Sequence, residues 1–171
     1  MATNKKRQGK KYHPREVRRD IAVLLFEGDS PLPDHQRASL LMAVHGSALA
    51  LVRGDAPRQE WHSIVSALNI TQLLCEKAGN SHVGLETVAA AQNAMIAVGE
   101  RCHRVGRLGV SGDEIRAINN AIALYEQLLE IVTKRQYTAA IEEGLRRLEA
   151  GDVIKLQRAG TPRMTPAGLA A

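Results

Sequence analysis

The segment "EIRAINNAIALYEQLLEIV", residues 114–132, places Ile115, Ile118, Ile122, Tyr125, Leu129 and Val132 at steps of 3, 4, 3, 4 and 3. A 3.6-residue helix turns such positions to one side, so the spacing predicts a helix with a continuous apolar seam. Ser111 stands three residues before Glu114, the pattern of a capping box, and sets the start of that helix. The seam spans fewer than three heptads, which favours a bundle over a long coiled coil.

Working outward, the same periodicity recurs between clear breaks. Pro14 suits the first turn of a helix to about residue 27, with Val17, Ile21, Leu24 and Leu25 on one face. "GDSPLPD" (28–34) interrupts it. A second helix is expected over 33–53, burying Leu41, Val44, Ala48 and Leu51. Gly46, Ser47, Ala48 and Ala50 make it thin enough for close approach. Residues 38–52 carry no formal charge and read as a buried helix rather than a membrane span, which needs about 20 residues. Gly54 ends it, with Asp55 as the next cap.

A third helix over 56–78 carries Trp61, Ile64, Val65, Leu68, Leu74 and Cys75. A fourth over 82–105 carries Leu85, Val88, Met95, Ile96, Cys102 and Val105. Beyond Arg135 the phase shifts, and Ile141, Leu145 and Leu148 predict a last helix over 138–150. The fold class expected is all-α: an up-and-down bundle of four long helices and two shorter ones, occupying 14–151. Residues 1–13 are expected to be a disordered basic arm, and 152–171, with Gly160, Pro162, Pro166 and Gly168, a flexible tail.

Charge is unevenly spread. Lys5, Lys6, Arg7, Lys10, Lys11, Arg15, Arg18 and Arg19 oppose only Glu16, giving residues 1–19 a net +7. Residues 20–151 hold 12 basic and 16 acidic side chains, net −4. The net charge of +5 is therefore a property of the ends, unlike that of a uniformly nucleic-acid-coating protein. Those eight arm residues are the candidate contacts to phosphates or to an acidic protein. Phosphate contact through them would be sequence-independent and salt-sensitive, since only Tyr12 and His13 could stack on bases. The arm would also permit a membrane-surface reading, but the apolar face of helix 14–27 is needed for packing on the bundle.

Catalytic and metal chemistry find little footing. Glu100–Arg101–Cys102–His103 contains one Glu-x-x-His, half of a carboxylate-bridged di-iron site; no second pair exists. Cys75 and Cys102, with His82 and His103, lack the close pairs of a zinc site. No Gly-x-Ser-x-Gly elbow and no phosphate-cradling glycine loop occurs. The expectation is a protein without enzyme activity, metal or cofactor. Without a secretory segment or a membrane span, the cysteines are expected as reduced thiols in the cytoplasm. Asn69, Asn93, Asn119 and Asn120 fall inside helices, where they could link into a polar network or face water. The tight turn at Gly54 superficially resembles a helix-turn-helix, but acidic neighbours Asp55 and Glu60 at the would-be recognition helix argue against it.

"EWHSIVSALNITQLLCE", "LETVAAAQNAMIAVGERCHRVGR" and "EIRAINNAIALYEQLLEIVTKRQYTAAIEEGL", roughly residues 56–150, resemble a loose group of small helical proteins encoded by phages and prophages of proteobacteria. The resemblance carries no catalytic or ligand-binding residue. It implies an accessory protein that binds host or phage machinery inside the infected bacterium. Two functional classes follow. One is a binding protein that engages and inhibits a host protein or nucleoprotein complex. The other binds DNA or RNA through the arm. A homodimer is compatible with either.

Overall fold

The computed structural model describes residues 29–54, 56–77 and 82–151. Helix 14–27, the basic arm, the tail and the Asp55 cap lie outside the described residues. Among the described residues there are five helices and no strand: α1 (Asp34–Arg53), α2 (Arg58–Lys77), α3 (His82–Val105), α4 (Gly112–Ile131) and α5 (Lys134–Glu149). None is long and apolar enough to cross a membrane.

The seam behaves as its spacing demands. Ile118, Ile122, Tyr125 and Leu129 are buried along α4, and Ser111 and Glu114 form the reciprocal capping box at its start. Val132 is buried but ends the helix in extended backbone. The next helix begins at Lys134, four residues before the expected 138, because Thr133 and Gln136 form a second capping box. The Thr133 side chain accepts from the Gln136 amide at 3.2 Å, and Gln136 Oε1 accepts from the Thr133 amide at 2.9 Å. The apolar step onto Val132 runs across this boundary and disguises it.

α2 touches all four other helices, and α4 touches α1, α2 and α3. The central element is therefore α2, although the sequence draws its longest seam on α4. Ile64, Ala67, Leu68, Thr71, Leu73, Leu74 and Cys75 are buried around much of α2. Each buried Leu or Ile contributes about 1.5–3 kcal/mol relative to exposure. The backbone of α5 comes close to that of α2 and of no other helix, with Leu73 Cδ1 3.5 Å from where a side chain on Gly144 would begin.

Other expectations give way. The uncharged stretch 38–52 is only half buried: Val44, Ala48 and Leu51 face the core, while Met42 is 75% exposed and Leu49 and Val52 are also open. Gly46 has no neighbour within 4 Å, so close approach occurs at Ser47 and Ala48 instead. Val105, the last residue of α3, is exposed. All four helical asparagines are exposed. The buried polar groups are Thr71, bonded to the Ala67 carbonyl at 2.7 Å, Ser47, and a tyrosine pair. Tyr125 and Tyr137 hydroxyls meet at 2.7 Å, tying the first turn of α5 to α4.

Before α1 the chain is strapped to the start of α5. Pro31 bridges Thr133, the Lys134 amide donates to the Ser30 carbonyl at 2.9 Å, and Arg135 pairs with Asp29 at 2.5 Å.

Candidate functional site: a groove over α2

Because α5 and α3 both flank α2 without their backbones coming close, a groove of about 700 Å3 remains between them. α2 supplies Trp61, Val65, Leu68, Ile70 and Leu73. α3 contributes Met95 and Ile96, and α5 contributes Ala140, Ile141, Leu145 and Leu148. Leu68 and Met95 are buried, Trp61, Val65 and Ile141 are half-buried, and Leu145 and Leu148 stand open, the latter 59% exposed. The Trp61 indole N–H donates to the Met95 carbonyl at 3.0 Å, which fixes the ring against α3.

A hydrogen-bonded series crosses the same region. The Gln92 side-chain amide donates to Asn69 Oδ1 at 3.1 Å and Gln72 Oε1 at 2.8 Å; the Gln72 amide donates to Glu76 at 2.8 Å. Arg147 then joins α5 to α2, reaching Glu76 at 2.7 Å and Glu143 at 2.8 Å. The Arg147 hydrogen bond holds the Glu76 carboxyl below its ordinary value, against burial, which pushes it up. Arg146 and Arg147 together lower Glu143 to about 2. An apolar floor with a polar, pre-paired edge is the form that accepts an amphipathic helix.

A second depression of about 500 Å3 lies at one end of the bundle, lined by Val52, Arg53, Gly54, Arg101, Val105, Arg107 and residues 109–111. Arg101 is committed: it donates to the Gly109 carbonyl at 2.8 Å and to Glu114. Burial opposes ionisation of Glu114, but Arg101 and the Ser111 cap outweigh it and lower the pKa. Arg53 and Arg107 are exposed and make no ion pair among the described residues.

The candidate arm contacts Lys5, Lys6, Arg7, Lys10, Lys11, Arg15, Arg18 and Arg19 lie outside the described residues. Glu100 is half-buried and His103 exposed; no three His, Cys, Asp or Glu side chains converge to hold a metal among the described residues. Cys75, buried, and Cys102, half-buried, are unbonded; burial and then Glu76 push the Cys75 thiol up. The groove itself was hidden in the sequence, because Trp61, Val65, Ile141 and Leu148 sit at helical spacings that read as core. The available signal was α5, a short, highly charged helix whose apolar positions outnumber what one neighbour can cover. Neither a protein-family model, nor a curated protein, nor a solved structure matches the chain.

Proposed function

We propose that this is a phage-encoded, non-catalytic binding protein whose groove over α2 takes an amphipathic helix of a host protein or nucleoprotein complex and inhibits it. The observation that supports this is the coexistence of Leu145 and Leu148, both exposed, with half-buried Trp61, Val65 and Ile141 in one depression. Apolar side chains concentrated in a concave site mark a contact surface. Affinity purification from the bacterial host, with and without nuclease, tests it. A partner retained after nuclease and lost on Leu145→Glu with Leu148→Glu is the expected result. A partner held equally by that double variant would rule the groove out.

A nucleic-acid reading draws on Arg53 and Arg107 beside Arg101 at the bundle end, which would extend the basic arm onto the folded body. Recovery that depends wholly on nucleic acid favours that reading.

A further inference from the structure

We propose that in the free chain the groove is filled by residues 14–27 of the same molecule, docked as an amphipathic helix antiparallel to α5. The inference deepens the groove reading by naming its resident, yet it needs no external partner.

Three observations converge. The first is tethering. Asp29, Ser30 and Pro31 are held to Arg135, Lys134 and Thr133, so the chain preceding residue 29 departs beside the first turn of α5. The second is length. Fourteen residues form a helix of about 21 Å, and the 16 residues of α5 span about 24 Å. A helix running back from the strap along α5 therefore reaches Leu145 and Leu148 without any linker to close.

The third is chemistry. Val17, Ile21, Leu24 and Leu25 recur at helical spacing, matching the half-buried Trp61, Val65 and Ile141 and the exposed Leu145. In the antiparallel sense Glu27 meets the positive start of α5, where Lys134 and Arg135 stand. Arg15, Arg18 and Arg19 then come alongside its second half, where Glu142 is exposed and Arg146 and Arg147 are already engaged by Glu143. The parallel sense would bring those arginines to Lys134 and Arg135, and the tether at residues 29–31 closes it. A partner must displace this segment, and displacement would release its arginines together with the rest of the basic arm.

The test uses the full chain alone. Val17→Cys is combined with Leu145→Cys, its neighbour in the antiparallel register, and, separately, with Met42→Cys on the exposed face of α1. Each is treated with a bismaleimide spanning about the 8–10 Å between packed helices, and bridges are mapped by peptide mass. A bridge within one chain between positions 17 and 145 is expected. A bridge to position 42 instead, a 17–145 bridge found only between chains, or none at all each overturns the proposal. Trp61 gives a second reading as the sole tryptophan. In Ile21→Asp with Leu24→Asp its emission should shift to longer wavelength and its quenching by acrylamide should rise, with α-helical circular dichroism from the bundle retained. Unchanged quenching also overturns the proposal. Either failure leaves the partner reading standing, because that one is judged on Leu145→Glu with Leu148→Glu and a captured partner.

Discussion

Tyr125 and Tyr137 show how single residues secure α5. Burial pushes both hydroxyls above their ordinary value of 10.0; the neighbouring Tyr137 adds to the rise at Tyr125, while the bond from Tyr125 partly offsets it at Tyr137. An unfolded tyrosine ionises near pH 10, whereas these two stay neutral in the fold. Their contribution is thus fully present below about pH 10 and is lost as pH rises above it. Ultraviolet titration should show two of the three tyrosines ionising only as helicity is lost. Tyr137→Phe strips Tyr125 of its hydrogen-bond partner and should cost about 1–3 kcal/mol in chemical denaturation. Normal ionisation of all three tyrosines in the folded state would contradict the buried pair.

At the scale of elements, caps mark boundaries better than periodicity does. Ser111 before Glu114 was legible as a helix start, and the seam from Ile118 to Leu129 fixed the buried face of α4. The equivalent signal at Thr133 and Gln136 was masked by Val132, which continues the apolar spacing across a helix end. The half-exposure of α1 was not legible, because an uncharged run reports composition and not which neighbours lie on each side. The groove was illegible for a related reason: it is a gap between α3 and α5, and the contacts defining it join residues distant along the chain. Thr133 closes the α5 cap and also meets Pro31, so Thr133→Ala should lower stability by about 1 kcal/mol. Amide hydrogen exchange at Lys134, bonded to Ser30, should quicken more than at mid-helix positions of α5. A uniform change along α5 would refute the double duty of Thr133.

For the whole molecule, the charge division separates encounter from specificity. Residues 1–19 carry a net +7 and residues 20–151 a net −4, so the ends attract what the body does not. Exposed charge chiefly changes association rate, whereas an apolar docking site sets how long a complex lasts. Deleting residues 1–13 should leave the melting temperature nearly unchanged, since no seam position lies among them. On the partner reading, surface plasmon resonance should show slower association with an unaltered dissociation rate. On the nucleic-acid reading, binding at moderate salt should disappear. Sequence-selective DNA binding that survives the deletion would contradict both.

The strap from Asp29 to Pro31 has a consequence for the order in which the molecule is built. Pro31 and Thr133 lie about a hundred residues apart in the chain, so their bridge closes a very large loop. Neighbouring helices α1 to α4 can pair through short connections, but this contact must await nearly the whole chain. During synthesis Asp29, Ser30 and Pro31 therefore wait for these partners until α5 has emerged and capped itself at Thr133. The strap ahead of α1 is thus made before the helices it secures and is among the last contacts to close, so a nascent chain halted before α5 would leave Asp29, Ser30 and Pro31 without their partners.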